Sequence, residues 1–522
     1  MHAAAQVFSA NLLAALSELE VEEVFLSPGS RSQSLAIAAQ QLHDANRLVL
    51  RVRIDERSMA FTALGAAKAS GRPVAIITTS GTAVGNLLPA VMEASHSGVP
   101  LILLTADRPA ELRGVGANQT TNQVGIFGDS VRSCTDIEAP SDPVDTNFVK
   151  QLAEKTVATA LGINQISPGP VQLNLCFREP LSSAEPNASD LYPGASLSEQ
   201  ENYKPTFAIL SGEKNTILVA GAEAGIEALE AAEAFGWPVF AEPSSRSRIG
   251  ANAIIGYPAL LEEEKDLTDA ISRVVVYGKP TLSRQVQKLI ARKDIELVVI
   301  KSKLMGPFNP YGNAAEIVDE ITVNGEVSND WLARWRVAAH NWLSVQETSK
   351  SLDRRQVIET VYDVSEIEDT IVLGASRMIR EADTWAPAKA IQVFANRGLS
   401  GIDGTIATAT GIALGGEGSF TRAIIGDLTL IHDASSMIED SEEDLNLQLI
   451  MVNDQGGSLF EKLEVRNIVE ETVFDRVFRA GQKVDYWSLA NAYGFSYFCP
   501  TNEVELREAL STTGRVLIEI KL

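Results

Sequence analysis

The sequence predicts an α/β fold with parallel sheets, divided into three domains. Short apolar runs typical of strands alternate with longer helical patterns, and each run is followed by Gly, Ser, Asp or Asn, the usual chemistry of a strand-to-helix turn. A chain of 522 residues is also too long for a single hydrophobic core. The predicted strands are residues 48–54, 74–78, 101–105, 216–220, 273–277, 296–300, 423–425 and 447–452.

Two polar stretches predict the domain boundaries. Residues 181–205 are rich in Ser, Pro and acidic side chains, as linkers are. A helical stretch that contains Trp331, Trp335 and Trp342 ends in the polar segment 346–355. We therefore expect domains at residues 1–185, 186–350 and 351–522.

Composition and charge exclude several classes of protein. No apolar run approaches the length of a membrane span. The net charge of −24 would repel a polyanion, so we expect no nucleic-acid partner. Three dispersed cysteines without a CxxC, and five histidines without an HxxxH, argue against disulfides and zinc. The N-terminus lacks the pattern of a signal peptide, and we expect a cytoplasmic protein.

The first and last predicted domains share a layout. Three consecutive strand–loop–helix units occur in each, and the interval from Ser80 to Asp107 equals that from Asp427 to Asp454. The repeated order predicts two similar folds in one chain. The strand ends are marked by Asp55, Ser80 and Asp107 in the first domain and by Asn396, Asp427 and Asp454 in the last.

Two carboxylates in the last domain predict a metal–phosphate site. Asp427 and Asp454 each follow a strand, and Gly456 and Gly457 come shortly after Asp454. Ligands bind at the carboxyl ends of parallel strands, and oxygen donors suit a hard divalent cation such as Mg²⁺. The alternative is that both acids cap the helices that follow them.

The sequence around these acids resembles the signature of thiamine-diphosphate enzymes, which is usually GDG followed by NN. Here the two parts read GDL, at Gly426, Asp427 and Leu428, and ND, at 453–454. The resemblance implies thiamine diphosphate with Mg²⁺ or Mn²⁺ as cofactors. It also implies that Asp427, Asp454 and the Gly456 carbonyl bind the metal. Asp454 stands where the family has Asn, which adds a negative charge.

The same superfamily requires a glutamate in its first domain, and Glu56 is the candidate. It lies in DERS at 55–58, just after the predicted strand 48–54. The resemblance implies that its carboxylate hydrogen-bonds N1′ of the aminopyrimidine and so promotes deprotonation of the cofactor. The alternative is an acid in the first turn of a helix, where the helix dipole favours it.

Longer motifs resemble one family more closely, the 2-succinyl-5-enolpyruvyl-6-hydroxy-3-cyclohexene-1-carboxylate synthases (the MenD family). That resemblance implies three doubly wound parallel-sheet domains: pyrimidine-binding, central and diphosphate-binding. The motifs are SPGSRS at 27–32, DERS at 55–58, TSGTA at 79–83, TADRPAELRGVGANQT at 105–120, CFREPL at 176–181, NRGLSGIDGT at 396–405 and NDQGGSLF at 453–460.

The resemblance also implies the reaction. The family decarboxylates 2-oxoglutarate on thiamine diphosphate and adds the succinyl-semialdehyde carbanion to isochorismate, in menaquinone biosynthesis. Both substrates are dicarboxylates, so a strongly acidic protein must concentrate arginine at its site. The family's active sites lie between subunits, which implies a homodimer or homotetramer.

The resemblance also implies the site residues, and Arg284 is the candidate for a basic residue that the central domain contributes in relatives. Ile402, Leu459 and Phe460 are expected to make apolar contacts with the cofactor and intermediate, and Ser80 and Gly457 to join the cofactor site. Ala375 stands where the family usually has Asn, so one polar contact is missing. The expected substrate contacts are Ser30, Arg31, Arg108, Asn118 and Gln119 from the first domain, Arg284 from the central domain, and Ser376, Arg380 and Arg397 from the last.

Two other functions stay open on the sequence. One is a different thiamine-dependent 2-oxo acid carboligase, similar to acetolactate synthase, which would use pyruvate. The other is a catalytically silent relative that only binds the cofactor, for which the substitution at Asp454 is the best argument.

Overall fold

The computed structural model describes residues 3–163, 167–197, 204–302, 304, 306–347, 349, 351–416, 418–438 and 443–522. The chain divides into two compact units. The first comprises Met1–Asn202, Asp403–Gly415 and Asp433–Glu443. The second comprises Tyr203–Ile402, Gly416–His432 and Asp444–Leu522. No helix among the described residues is both long and apolar enough to cross a lipid bilayer.

The first unit carries a six-stranded parallel sheet in the order β2-β1-β3-β4-β6-β5. Its strands are β1 (Glu23–Leu26), β2 (Val49–Val52), β3 (Val74–Thr78), β4 (Leu101–Asp107), β5 (Ser133–Ile137) and β6 (Val171–Cys176). The helices that precede or connect them are α1 (Ala4–Glu18), α2 (Gln33–Asp44), α3 (Glu56–Ser70), α4 (Thr82–Gly85), α5 (Leu88–Ser97) and α6 (Thr146–Ala160).

Both faces of this sheet are covered, because successive strand residues point to opposite sides. Val24 and Leu26 pack with α1, α2 and α6, whereas Phe25 packs on the other face with α3 and α5. Helix α14 (Thr405–Ala413) also belongs to this unit and lies against α3. The approach requires glycine, because a Cβ at Gly65 would lie 2.1 Å from the carbonyl oxygen of Thr408.

The second unit contains the central sheet, five parallel strands in the order β12-β11-β10-β8-β9, and a parallel pair β13-β7. The strands are β7 (Phe207–Ser211), β8 (Thr216–Ala220), β9 (Val239–Ala241), β10 (Arg273–Tyr277), β11 (Glu296–Ile300), β12 (Glu316–Val318) and β13 (Glu320–Asn324). The helices are α7 (Ile226–Phe235), α8 (Tyr257–Glu263), α9 (Lys265–Asp269), α10 (Arg284–Ile290) and α11 (Asn329–Ser344).

The same unit contains a second six-stranded parallel sheet, in the order β15-β14-β16-β17-β19-β18. Its strands are β14 (Thr370–Leu373), β15 (Gln392–Phe394), β16 (Thr421–Gly426), β17 (Leu447–Asn453), β18 (Ser496–Phe498) and β19 (Arg515–Lys521). Its helices are α12 (Arg354–Val364), α13 (Arg377–Trp385), α15 (Asp427–His432), α16 (Glu471–Phe474), α17 (Tyr486–Ala492) and α18 (Glu503–Leu510).

The predicted α/β class is confirmed, with parallel ladders throughout the three main sheets. Every strand predicted above lies within or overlaps an observed strand, and four of them coincide residue for residue. Trp331, Trp335 and Trp342 lie on α11 and pack into the core of the central sheet. The boundaries at 185/186 and 350/351 stay a prediction.

Candidate functional site

Glu56 is the first residue of α3, directly after β2. Asp55 caps the helix, and its carboxylate accepts hydrogen bonds from the backbone N–H groups of Arg57 and Ser58. The Glu56 side chain is half-buried, and its Oε2 accepts a hydrogen bond of 3.1 Å from Asn86 Nδ2. The cap therefore fixes the backbone beneath a carboxylate that remains partly accessible.

The start of α3 has a second support that sequence reasoning missed. Asp433 is fully buried and accepts hydrogen bonds from the backbone N–H groups of Ile406 and Ala407, at the start of α14. Its Oδ1 also lies 3.3 Å from Arg57 Nη2. Burial raises the pKa of Asp433, and its hydrogen bonds and Arg57 oppose that shift. In the sequence, Asp433 is only an acidic residue far along the chain from Glu56, and nothing there indicates these contacts.

Arg108 lies just after β4 and joins two other predicted residues. Its Nη1 donates to Ser80 Oγ (2.5 Å) and to the backbone carbonyl of Gln119 (2.7 Å). Gln119 Nε2 in turn donates to the Ser80 carbonyl at 2.9 Å. Ser80, Arg108 and Gln119 thus form one hydrogen-bonded cluster at the carboxyl ends of β3 and β4.

Arg31 is buried after β1, whereas the neighbouring Ser30 and the more distant Asn118 are exposed. Arg31 Nη1 donates to the carbonyl of Phe177 at 3.0 Å, and its Nε is buried without a hydrogen-bond partner among the described atoms. Burial lowers the pKa of Arg31, and the positive charge of Arg108 adds to the effect. The first unit therefore presents two buried arginines at its strand ends.

In the second unit, Asp427 begins α15 at the carboxyl end of β16. It is 2% exposed; its Oδ1 accepts from the Leu428 N–H, and its Oδ2 is buried without a hydrogen-bond partner in the described part of the chain. Burial raises the pKa of Asp427 to about 6, and the negative charge of Asp454 raises it further, against hydrogen bonds from Leu428 and Gly456. Such a carboxylate is poised to bind a cation.

Asp454 follows β17 and is paired with a basic residue that the sequence did not indicate. Arg354, the first residue of α12, donates from Nη2 to Asp454 Oδ2 at 2.6 Å. The extra negative charge at this position, expected from the replacement of Asn by Asp, is therefore offset by a guanidinium within the same unit.

The turn after Asp454 requires glycine at 456. Gly456 has φ +124°, and a Cβ there would lie 2.2 Å from the carbonyl oxygen of Arg479. Gly457 donates its N–H to that same oxygen at 2.6 Å. The Gly456 carbonyl accepts from the Ser458 N–H at 2.9 Å and keeps a second lone pair for another partner.

Leu459 and Phe460 follow this turn in a 3₁₀ helix, Ser458–Lys462, and both are half-buried. The Phe460 ring packs against Phe478 with their centroids 5.7 Å apart. Ile402 is also half-buried, in the loop before α14. All three expected apolar residues therefore keep part of their surface accessible.

Arginines of the second unit gather near β14 and β16. Arg380 on α13 donates from Nη1 to the Ser376 carbonyl at 2.6 Å, and a Cβ at Gly426 would lie 3.8 Å from Ser376 Oγ. Burial lowers the pKa of Arg380, and the positive charges of Arg397 and Arg284 lower it further. The structure thus brings Arg397 and Arg284 within electrostatic reach of Arg380.

Arg397 and Arg284 differ in environment. Arg397 is 5% exposed, and its Nη2 donates to Thr281 Oγ1, in the turn that follows β10, at 2.6 Å. Arg284, the first residue of α10, is exposed, and its Nη1 lies 3.4 Å from Glu464 Oε1. Arg284 is therefore an accessible guanidinium that the central segment contributes to the set of arginines around Arg380.

The residues present fit a magnesium-type ion. Among the described residues, no three His, Cys, Asp or Glu side chains converge as a metal cluster. An ion at this edge of the sheet would instead be held by the unpartnered Asp427 Oδ2, by Asp454 and by a backbone carbonyl. Oxygen donors with open positions for phosphate are what Mg²⁺ favours.

Two family models match the first and last parts of the chain. Residues 7–126 match the model of the thiamine pyrophosphate enzyme N-terminal TPP binding domain, and residues 376–520 match that of the C-terminal TPP binding domain.

Relatives match the chain over nearly its whole length. A 2-succinyl-5-enolpyruvyl-6-hydroxy-3-cyclohexene-1-carboxylate synthase of Leifsonia xyli is 39% identical over 98% of this chain and 95% of its own. Synthases of the same name from an Arthrobacter species and from Kineococcus radiotolerans are 41% and 40% identical, over 96% and 98% of this chain and 86% and 94% of their own. The chain therefore belongs to the 2-succinyl-5-enolpyruvyl-6-hydroxy-3-cyclohexene-1-carboxylate synthase family of thiamine-diphosphate enzymes.

Proposed function

We propose that this chain is a transferase that decarboxylates 2-oxoglutarate and transfers the succinyl-semialdehyde unit to isochorismate, for menaquinone biosynthesis. The product is 2-succinyl-5-enolpyruvyl-6-hydroxy-3-cyclohexene-1-carboxylate. The observation that carries the proposal is the match to synthases of that name over almost the full chain, including the central segment.

Thiamine diphosphate, when bound, supplies the nucleophilic carbon and the electron sink that decarboxylation of a 2-oxo acid requires. Glu56 is proposed to hold a proton between its carboxylate and N1′ of the aminopyrimidine. Its place at a capped helix start supports this role, because the Asp55 cap fixes the backbone while Asn86 orients one carboxylate oxygen. Ser80, Gly426, Leu428 and Gly457 are proposed to line the rest of the cofactor site.

Asp427, Asp454 and the Gly456 carbonyl are proposed to hold Mg²⁺ or Mn²⁺ against the diphosphate. Oδ2 of Asp427 is buried and has no hydrogen-bond partner among the described atoms, which supports this assignment because a buried negative charge is costly unless it is paired. Arg354 on Asp454 leaves the pair of carboxylates with a smaller net negative charge.

Arginines are proposed to bind the substrates, each of which carries two carboxylates. In a protein with a net charge of −24, clustered guanidinium groups are the feature that attracts such anions. Ile402, Leu459 and Phe460 are proposed to pack beside the reacting carbons. The proposed polar contacts are Ser30, Arg31, Arg108, Asn118 and Gln119 in the first unit, and Arg284, Ser376, Arg380 and Arg397 in the second.

A homodimer or homotetramer with active sites formed between subunits, working in the cytoplasm, is part of the proposal. It rests on the family resemblance. Sedimentation equilibrium of the purified chain with cofactors tests the assembly, and a monomer at full activity would contradict it.

The activity test combines the purified chain with thiamine diphosphate, Mg²⁺, 2-oxoglutarate and isochorismate. We expect release of carbon dioxide and formation of the cyclohexene product, followed by mass spectrometry. Turnover of pyruvate without turnover of 2-oxoglutarate would identify the acetolactate synthase-like alternative. Cofactor binding without turnover of either acid would identify a catalytically silent relative.

A further inference from the structure

A turn of the central segment, residues 278–282, reaches the loop that carries Arg397. Lys279 Nζ donates to the carbonyl of Gly398 at 3.0 Å. Thr281 Oγ1 accepts from Arg397 Nη2 at 2.6 Å. The turn follows β10 directly, so it lies at the carboxyl edge of the central sheet.

The 278–282 turn is held in place by a single buried carboxylate. Glu242 Oε1 accepts hydrogen bonds from the backbone N–H groups of Thr281 (2.6 Å) and Leu282 (2.7 Å). Leu282 is buried in the core of the last sheet. Close packing restricts the turn further, because a Cβ at Gly221 would lie 2.0 Å from Pro280 N.

Glu242 itself is removed from solvent. It follows β9 and is 2% exposed, and its Oε2 has no hydrogen-bond partner among the described atoms. Burial raises the pKa of Glu242 to about 8, and the nearby Asp383 adds to the shift, against the two backbone hydrogen bonds and Arg397. Glutamine is a close isostere of the protonated side chain, the form that this shift favours.

We infer that Glu242 is a positioning residue for Arg397. It fixes the backbone of the 278–282 turn, the turn fixes the Thr281 hydroxyl, and the hydroxyl holds the guanidinium in one orientation. The inference rests on the proposed function, in which Arg397 binds a substrate carboxylate. A guanidinium that is already oriented by this hydroxyl loses less side-chain freedom when a substrate carboxylate binds.

The test compares two substitutions that break the chain of contacts with two that preserve it. Glu242→Ala removes the acceptor, and Thr281→Val removes the hydroxyl at nearly constant volume. Glu242→Gln keeps the Oε1 acceptor, and Thr281→Ser keeps the hydroxyl. Glu296→Gln is the matched control, because Glu296 forms ion pairs with Arg273 and Lys214 at the amino ends of the strands in the same sheet.

We expect Glu242→Ala and Thr281→Val to raise KM for at least one of the two substrates about tenfold, the size expected for a lost hydrogen bond to a charged group. Glu242→Gln and Thr281→Ser should restore KM to within about threefold, and thiamine diphosphate affinity should change less than about twofold throughout. Equal KM values for breaking and preserving variants, or the same KM rise in Glu296→Gln, would overturn the inference.

Hydrogen exchange separates this inference from the proposed function. Amides of residues 394–402 should exchange faster in Glu242→Ala and Thr281→Val than in wild type, and at the wild-type rate in the other three variants. Unchanged exchange in both breaking variants would overturn the positioning role, whatever the substrate. If the two breaking variants exchange faster but the wild-type chain turns over neither proposed substrate, the positioning role is supported and the proposed function is contradicted. If Glu242→Ala does not fold, the Thr281 pair alone decides.

Discussion

The first and last six-stranded sheets have the same strand order but carry different chemistry at their carboxyl ends. Numbered within each sheet, both run 2-1-3-4-6-5. After the third strand, the first sheet has Ser80, hydrogen-bonded to Arg108 and Gln119, whereas the last has Asp427, one buried oxygen of which has no partner in the described part of the chain. The shared topology brings the same strand ends together, and the residue types decide what they can bind.

Asp107 and Asp454, at the ends of the fourth strands, also differ in what they can bind. Asp107, at the end of β4, is fully buried and satisfied internally by Arg113 (2.9 Å) and Asn174 Nδ2 (3.0 Å). Asp454, after β17, is paired with Arg354 but half-buried, next to a glycine turn that leaves a carbonyl lone pair available. One aspartate stabilises its sheet, and the other is suited to share a ligand.

The largest expected effect tests the catalytic end of the first sheet. Glu56→Gln should leave the fold intact but lower kcat by about 10³, because it removes the group that moves the proton at the cofactor. Steady-state turnover with saturating cofactors measures the effect. Glu22→Gln changes an exposed glutamate just before β1, at the amino end of the strand, and should retain wild-type kcat. A kcat within tenfold of wild type for Glu56→Gln would refute its role.

The next largest effect compares Ser80 and Asp427, the residues that follow the third strand of each sheet. Asp427→Asn should weaken Mn²⁺ binding by more than about 100-fold, whereas Ser80→Ala should change it less than about threefold. Electron paramagnetic resonance titration of Mn²⁺ with thiamine diphosphate present gives both affinities. Equal losses of Mn²⁺ affinity would contradict the prediction that Asp427 binds the metal and Ser80 does not.

Gly456→Ala should destabilise the chain more than Gly81→Ala. Gly456→Ala meets a backbone oxygen at 2.2 Å, whereas Gly81→Ala, at φ +87°, meets first the flexible Gln119 side chain at 3.1 Å. We expect Gly456→Ala to cost about 3 kcal/mol of stability or more and Gly81→Ala about 1–2 kcal/mol. Thermal midpoints of the two variants measure the difference, and the reverse order would contradict it.

The smallest expected effect concerns the replacement of Asn by Asp at 454. Asp454→Asn keeps an oxygen donor and removes a charge that Arg354 already offsets, so Mn²⁺ affinity should change by about tenfold or less. Its partner Arg354 loses a charge-assisted bond, and the thermal midpoint should fall slightly. A loss of affinity as large as that of Asp427→Asn would show that the charge of Asp454, and not only its oxygen, holds the metal.

Much of the fold was predictable because its signals are local. Apolar runs and the turn residues after them located the strands at 74–78, 216–220, 273–277 and 296–300 without error. They also marked Ser80, Asp427 and Asp454 as strand-end residues. The partners of these residues were not predictable, because nothing in a local pattern specifies which distant side chain will reach a given carboxylate.

The sequence by itself determined the α/β class, the repeated layout, the family motifs and the identity of the strand-end groups. Only the tertiary structure decided that Arg354 neutralises Asp454 across 100 residues of chain, that Asp433 supports α3 and α14 together, and that Glu242 holds the turn beneath Arg397. The physical reason is that periodicity and turn chemistry act over a few residues, whereas ion pairs between buried groups form only where packing of separate elements brings them within reach.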